Sequence, residues 1–350
     1  MERVAILAIT KNGLKIASSI KQVFPSWKIF APSKFQDNTD ATWYEDQTSA
    51  KIAELFREFE GIVCLFSLGA VIRLISPHLK DKKTDPAVIV IDDKASFVIS
   101  TLSGHLGGAN ELTEQIAKKL GATAVITTAA DVNKTIAVDL LGKEFGWKIE
   151  NDQNITKTSA LMVNEEKIGI YQDAGEKKWW NSDLPKNVSI HDSLEDLRSS
   201  NSKAYLIITD KELDDDITEN AVLYRPKTLV IGVGLHTDTT KEKIIESLQK
   251  CLRDHHLSIK SVARLVSLKK PTEIQSLVNA GRDLGVPVEY FEREELANIT
   301  IPNPSDTVQA FEGTPSVSEA AAIKSSGGRL VVEKQKFPPD LTIAIARIEK

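Results

Sequence analysis

The chain has 350 residues, of which 41% are hydrophobic and 27% charged, and its formal net charge is −5 at pH 7. A chain of this length forms about two to three domains, and its weakly acidic balance argues against a nucleic-acid partner, which needs a basic protein face. Two cysteines, Cys64 and Cys251, are too few for a disulfide scaffold, and no segment approaches the roughly 20 apolar residues of a membrane span. We therefore expect a cytoplasmic protein without a membrane partner.

Apolar runs alternate with helical patterns through residues 1–150. Arg3–Ile9 and Gly61–Phe66 are uninterrupted apolar runs typical of buried strands, whereas Thr48–Phe59 repeats its apolar residues at helical spacing. The other predicted elements are the helix Gly13–Val23, the strand Trp27–Phe30, the helix Leu68–Leu79, the strands Ala87–Ile91 and Phe97–Ile99, the helix Ala109–Leu120, the strand Thr123–Thr127 and a helix that runs to Phe145. This alternation predicts a mostly parallel sheet with helices on both faces.

Residues 151–226 carry the negative surplus of the chain and have shorter predicted elements, so we expect a small, variable, acidic α+β middle domain. Strong alternation returns in residues 227–350. The predicted elements there are strands at Thr228–Val233, Val262–Leu268, Val286–Phe291, Leu330–Glu333 and Leu341–Ile348, with helices at Lys241–His255, Pro271–Leu284 and Val317–Ser325. The predicted fold class is α/β, with two outer domains whose mostly parallel sheets are flanked by helices.

The densest group of polar residues, at positions 100–110, follows a predicted strand and opens a helix. Gly104, Gly107 and Gly108 allow a tight turn, and the N–H groups that begin a helix can bind a carboxylate or an oxyanion. His105 stands among these glycines, and its ordinary pKa near ~6.5 suits acid–base catalysis. The structural alternative is that Ser103 caps the helix and His105 hydrogen-bonds only the backbone.

Three further positions are candidates for contact with a ligand. Gly69 lies in a second small-residue turn into a helix, and the guanidinium of Arg73, about one helical turn later, is suited to gripping a carboxylate. Asp131 follows a predicted strand, at the end where open α/β sheets bind ligands. The structural alternatives are an exposed helical arginine and a turn or cap residue.

The third segment contains two more turns of small residues. Gly232-Val233-Gly234 resembles the start of a dinucleotide-binding turn, but the third glycine of that motif is missing. The spacing of Ser316 and Glu319 predicts a capping box, whereas Thr314, just before them, is a candidate ligand contact.

The blocks DPAVIVIDD, SGHLGGAN and ITTAAD, in this order, resemble the N-terminal domain of the CbiG family of anaerobic cobalamin biosynthesis. The stretch from LVIGVGL to the C-terminus, with EGTPSVSEAAAI, resembles the C-terminal domain of that family. The domains expected from this resemblance are residues 1–150, 151–226 and 227–350. One departure is the sequence GVGLHTD at 232–238, where the family usually has GIGCRRG.

The resemblance implies that the chain opens the δ-lactone of cobalt-precorrin-5A and releases acetaldehyde, leaving cobalt-precorrin-5B. The implied partner is an anionic cobalt tetrapyrrole that carries its own metal, so neither a cofactor nor a protein metal site is expected, and a homodimer is left open. For this chemistry we expect His105 as base, the amides of Gly107 and Gly108 as oxyanion donors, Arg73 and Lys83 as carboxylate clamps, Asn110 as an orienting group, and further substrate contacts from Gly69, Ser103, Gly104, Asp131 and Thr314.

Two other functions fit the same sequence. A non-enzymatic carrier of a tetrapyrrole intermediate would use the same anion-binding loops without a base. A nucleotide-dependent α/β enzyme would instead use the turn at Gly232–Gly234.

Overall fold

The computed structural model describes residues 1–81, 84–105 and 107–349. The chain forms two units, residues 1–140 and residues 141–350. Within the described ranges, every helix is too short or too polar to cross a membrane. The domain boundaries expected at residues 150 and 226 stay a prediction.

The first unit is built on a seven-stranded sheet with the order β3-β2-β1-β4-β5-β6-β7. Its strands are β1 (Val4–Ala8), β2 (Lys28–Pro32), β3 (Thr42–Tyr44), β4 (Gly61–Leu65), β5 (Ala87–Ile91), β6 (Phe97–Leu102) and β7 (Thr123–Val125). Its helices are α1 (Lys11–Val23), α2 (Thr48–Glu58), α3 (Leu68–Ile75), α4 (Ala109–Leu120) and α5 (Ala129–Val132). The predicted α/β class is confirmed.

The central strands of this sheet are buried on both faces. Ile6 of β1 belongs to the core that α1 and α4 cover, whereas its neighbour Leu7 belongs to the core that α2 and α3 cover. Successive side chains of a strand point to opposite faces, so a strand covered on both sides must be apolar throughout. This double burial explains the uninterrupted apolar runs in the sequence.

Strand β6 runs against the direction of its neighbour β5. Their connection, residues 92–96, is too short for a parallel crossover, and Val88 near the start of β5 pairs with Leu102 at the end of β6. The loop that follows β6 therefore lies at the end of the sheet where β5 begins. Strand β7 is parallel to β6, so the segment after β7 lies at the same end.

The second unit contains a five-stranded sheet of order β10-β9-β11-β12-β8. Its elements are β8 (Lys148–Ile149), α6 (Ile155–Val163), β9 (Ile168–Gln172), β10 (Val188–His191), α7 (Leu194–Ser199), β11 (Ala204–Ile208), α8 (Asp215–Thr218) and β12 (Ala221–Arg225). Only the pairing with β8 is antiparallel among these described strands. Because α7 and α8 connect consecutive parallel strands, the region is α/β rather than the α+β module expected.

A second sheet of this unit has the order β15-β14-β13-β17-β16. Its strands are β13 (Leu229–Leu235), β14 (Val262–Leu268), β15 (Val288–Phe291), β16 (Leu330–Phe337) and β17 (Leu341–Arg347). Its helices are α9 (Lys241–Asp254), α10 (Gln275–Leu284), α11 (Arg293–Ala297), α12 (Asp306–Glu312) and α13 (Val317–Ser326). Strand β13 is parallel to β14 and antiparallel to β17.

Gly232 and Gly234 lie inside β13 and do not form the predicted turn. A Cβ on Gly232 would lie 1.8 Å from the carbonyl oxygen of Ser318, and a Cβ on Gly234 would lie 2.5 Å from Thr342 Oγ1. The missing side chain of Gly232 lets α13 pack directly on the strand, and that of Gly234 leaves room for Thr342 of the neighbouring β17, which gives this glycine pair a structural role.

Three predicted helical features differ from the structure. In place of the helix expected to run to Phe145, the chain forms α5, an irregular segment and a short 3₁₀ segment at Lys143–Phe145. The irregular segment buries both Ile136 and Val138, and two residues is not the spacing of one face of a helix. The helix predicted from Pro271 begins at Gln275. The capping box does not form, because Glu319 Oε1 accepts instead from Asn303 and from the N–H of Lys334.

Candidate active site

The loop from β6 into α4 is held in a tight conformation by its glycines. Gly108, the N-cap of α4, has a φ of 81°, which lies in the left-handed region that favours glycine. A Cβ on Gly104 would lie 2.6 Å from Asn110 Oδ1, and one on Gly107 would lie 2.4 Å from Ser103 Cβ. The close approach of these side chains therefore requires glycine at both positions.

His105 lies between two carboxylates. Its Nε2 is 2.8 Å from Asp131 Oδ2, and its Nδ1 is 3.4 Å from Asp139 Oδ1. Asp139, the less exposed carboxylate, and then Asp131 raise the pKa of His105 above its ordinary value, against the opposing effect of burial. The arrangement favours the imidazolium form, which donates protons at both ring nitrogens.

Asn110 connects His105 and Asp131 to the body of the sheet. Its Nδ2 donates to Thr128 Oγ1 at 3.0 Å and to Asp131 Oδ2 at 2.7 Å, and its Oδ1 accepts from Ser100 Oγ at 2.6 Å. Asp131 Oδ2 therefore accepts from both His105 and Asn110. In the part of the chain that the structure describes, Asp131 Oδ1 has no donor, and the side chain is 42% exposed.

The alternative prediction, in which Ser103 caps the helix and His105 hydrogen-bonds only the backbone, is wrong. The hydroxyl of Ser103 donates to the carbonyl oxygen of Asp85 at 2.9 Å instead of capping α4, and the His105 ring contacts carboxylates instead of the backbone.

The two predicted oxyanion donors of the loop differ. The N–H of Gly108 donates to the carbonyl oxygen of His105 at 3.0 Å, so it is already engaged. The N–H of Gly107 has no acceptor among residues 1–81, 84–105 and 107–349. Gly107 is therefore the one of the two whose N–H is open to a ligand.

Other predicted substrate contacts are not brought to this cluster. Val71 and Ile75 pack α3, which carries Gly69 and Arg73, on the sheet face opposite to α4. Arg73 is exposed, and Thr314 is fully buried in the second unit, where its hydroxyl donates to the carbonyl oxygen of Leu296 at 3.4 Å. The predicted clamp Lys83 lies outside the described residues.

Asp139 and Thr128 belong to the cluster and were not predicted from the sequence, whereas Ser100 lies in the predicted polar group without an assigned role. The segment Ile136–Leu141 contains Asp139 as its one charged residue. A carboxylate in an otherwise apolar run is rarely buried without a partner, so this position carried a usable signal. Thr128 carried no comparable signal, because a small polar residue is ordinary after a strand.

Three family models match most of the chain from residue 50 onward. The models described as cobalamin synthesis G N-terminal, cobalamin biosynthesis central region and cobalamin synthesis G C-terminus match residues 50–131, 136–226 and 229–346. A curated cobalt-precorrin-5A hydrolase of Priestia megaterium is 40% identical, over 98% of this chain and 94% of that protein. This chain belongs to the CbiG family. The cluster residues His105, Asn110 and Asp131 all fall within the match to the N-terminal CbiG model.

Two more distant relatives extend across the CbiG chain. A curated cobalt-precorrin-5A hydrolase of Salmonella typhimurium is 28% identical over 95% of this chain and 94% of that protein. A cobalamin biosynthesis protein G homolog of Sulfolobus solfataricus has a solved structure that is 22% identical, covers 99% of this chain and 98% of that chain, and gives a TM-score of 0.40.

Proposed function

We propose that this chain is a cobalt-precorrin-5A hydrolase of cobalamin biosynthesis. The observation that carries the proposal is the 40% identity, over 98% of the chain, to the curated hydrolase of Priestia megaterium. The cluster around His105 supports it, because hydrolysis needs groups that move protons at a solvent-reachable position.

The proposed reaction consumes one water molecule. The water oxygen adds to the lactone carbonyl carbon, the ring C–O bond breaks, and the products of this step are a carboxylic acid and an alcohol. The hydroxyl group of the alcohol then loses its proton, and its carbon becomes the carbonyl carbon of acetaldehyde as the carbon–carbon bond to the macrocycle breaks. The electron pair of that bond stays on the macrocycle, which takes up a proton.

Asp131 is the base of the proposed mechanism. Its Oδ1 has no donor among the described residues and its side chain is 42% exposed, whereas Oδ2 is fixed by His105 and Asn110. His105, predicted as the base, acts instead as a positioning residue, because both of its ring nitrogens face carboxylates. Its imidazolium holds Asp131 in place, and Asp139 holds the imidazolium.

The N–H of Gly107 is the proposed donor to the oxyanion that forms when water adds to the carbonyl. In other enzymes one such donor contributes about 3–4 kcal/mol to stabilising the transition state. This role uses a backbone group, so substitution of side chains around it leaves it in place.

The proposal also covers the partner, the cofactor and the cellular location. The partner is an anionic tetrapyrrole whose cobalt belongs to the substrate, and the protein supplies no cofactor. The proposed location is the cytoplasm, because Cys64 and Cys251 are both buried free thiols, as is usual in a reducing compartment.

An assay of acetaldehyde tests the proposal. Purified protein is incubated anaerobically with cobalt-precorrin-5A, and acetaldehyde is trapped and quantified against a protein-free control. We expect one acetaldehyde for each substrate molecule consumed. Tight binding of the substrate without acetaldehyde would instead identify a carrier.

A further inference from the structure

A pocket of about 690 Å³ lies in the second unit, outside the carboxyl ends of β13 and β14. Leu235 and Ser267 of these strands line it, together with Val308 of α12 and with Ser316 and Val317 at the start of α13. Open α/β sheets bind ligands at this end of their strands, and the volume is typical of small-molecule sites. The proposed hydrolase chemistry makes no use of this pocket.

Ser316, on the pocket wall, has a hydroxyl without a partner. The residue is 1% exposed, and its Oγ makes no hydrogen bond within the described part of the chain. It is the N-cap of α13, yet its side chain does not cap the helix. The N–H groups of Val317 and Ser318 also have no acceptor among the described residues. Buried donors of this kind are costly unless a ligand satisfies them.

The charged side chains of the pocket favour an anion. Lys270 pairs with Glu312, and Asp340 pairs with Lys243, so these four charges balance. Lys334 donates to the carbonyl oxygen of Asn303, and the lining residues together contain three lysines against the two carboxylates of Glu312 and Asp340. Lys336 also lines the pocket, and no acidic partner contacts it in the described ranges. The surplus charge at this wall is therefore positive.

An exposed aromatic residue on α12, the helix that carries three of the pocket-lining residues, indicates what carries the anion. Phe311 is 79% exposed, and it lies four residues after Thr307 on α12, so the two share one face of the helix. A large exposed aromatic side chain next to a cationic pocket suits an acid attached to an apolar ring system. It contributes nothing to the binding of a small inorganic anion.

We propose that this pocket binds a peripheral carboxylate of a cyclic tetrapyrrole, with Ser316 and the first N–H groups of α13 as donors, Lys336 as counter-charge and Phe311 against the ring. The ligand class rests on the proposed function. The pocket itself rests on the unpartnered hydroxyl, the charges and the aromatic ring.

The test is equilibrium binding of uroporphyrin, a cyclic tetrapyrrole whose side chains all end in carboxylates, to the full chain. We expect Ser316→Ala to weaken the affinity about ten- to hundredfold, the loss for one hydrogen bond to a charged group. Lys336→Ala should weaken it about two- to fivefold and Phe311→Ala about two- to tenfold. Ser261→Ala, which removes a buried unpaired hydroxyl outside the pocket, and Lys324→Ala, at the far end of α13, are the matched controls and should bind like the parent chain.

Three results would overturn the inference: no binding of uroporphyrin, equal affinity in Ser316→Ala and Ser261→Ala, or displacement of uroporphyrin by ATP or NADP, which would assign the pocket to phosphates. The acetaldehyde assay separates the two proposals. Acetaldehyde release with Ser316-independent porphyrin binding ends the pocket proposal alone. Ser316-dependent binding without acetaldehyde ends the hydrolase proposal alone.

Discussion

Two loops of small residues lead into helices, and they treat their polar groups in opposite ways. At the loop into α4, the side chains of His105 and Asn110 both form short hydrogen bonds with Asp131 of α5. In the loop into α13, the hydroxyl of Ser316 has no partner within the described residues. The side chains at the first loop form a closed network, and the open donor there is the backbone N–H of Gly107, whereas the second loop leaves a buried side chain unpaired as well.

The difference separates two requirements of an enzyme. A group that moves protons must be held in one orientation with a fixed pKa, which a satisfied network provides. A group that binds a ligand must have donors that the protein leaves unused, which costs stability until the ligand arrives. The following predictions test this contrast in order of expected effect.

The largest effect is expected from Asp131→Asn. The substitution keeps the shape of the side chain but removes the base, so acetaldehyde release from cobalt-precorrin-5A should fall by about 10²–10⁴-fold. Asp46→Asn, which changes an exposed carboxylate elsewhere in the first unit, is the control and should retain the parent rate. An Asp131→Asn enzyme within a few-fold of the parent would remove Asp131 from the mechanism.

A second prediction concerns the packing of the closed network. Gly104→Ala places a Cβ 2.6 Å from Asn110 Oδ1, and Asn110 is pinned by Ser100, Thr128 and Asp131. We expect a loss of about 1–3 kcal/mol in the free energy of unfolding of the first unit, measured by thermal denaturation.

The matched control for this packing is Gly69→Ala. A Cβ on Gly69 meets no heavy atom within 4 Å, and alanine is favoured over glycine inside a helix by about 1 kcal/mol. The control should therefore be neutral or stabilising. Equal stabilities of the two variants would show that the loop does not need its glycine.

The third prediction is a pH dependence. Asp139 and Asp131 raise the pKa of His105 on folding, so the resulting stability is fully present below the unfolded value near ~6.5 and is lost as the pH rises through the folded value. NMR titration of the imidazole should place the midpoint above ~6.5. In Asp139→Asn the midpoint should fall, because the carboxylate that raises the pKa of His105 most is gone. A parent midpoint at or below the ordinary value would contradict the site.

The smallest effect is expected from Ser316→Ala without ligand. Removing a hydroxyl that has no partner costs no hydrogen bond, so the melting temperature should stay the same or rise slightly. Thr314→Val, which removes a hydroxyl bonded to Leu296, should cost about 1 kcal/mol. A clear loss of stability in Ser316→Ala would mean that its hydroxyl is structural.

The α/β class was predictable because a strand that is buried on both faces has an uninterrupted run of apolar residues. The uninterrupted apolar runs at β1 and β4 predict buried strands without knowledge of their partners. The reversal of β6 was also encoded, since five residues between β5 and β6 do not allow a parallel crossover, but alternation alone does not reveal it. That reversal places His105 at the end of the sheet where β5 begins.

The candidate site was predictable where its residues lie in one sequence block or directly after a predicted strand. His105, Gly107 and Asn110 stand in one polar block at the start of α4, and Asp131 was predicted separately from its position after a strand. The pairing of His105 with Asp139 joins residues from different elements, and no local pattern encodes such a contact. For the same reason Arg73, a reasonable carboxylate clamp by itself, lies on a helix that covers the other face of the sheet.

The central claim is that the chain adds water to the lactone carbonyl, and a reaction in water labelled with heavy oxygen tests it most directly. Mass spectrometry of the tetrapyrrole product should show one labelled oxygen in the newly formed carboxylate, with acetaldehyde released in the same reaction. A product whose new carboxylate contains no label, or a substrate that returns unchanged, would contradict the account.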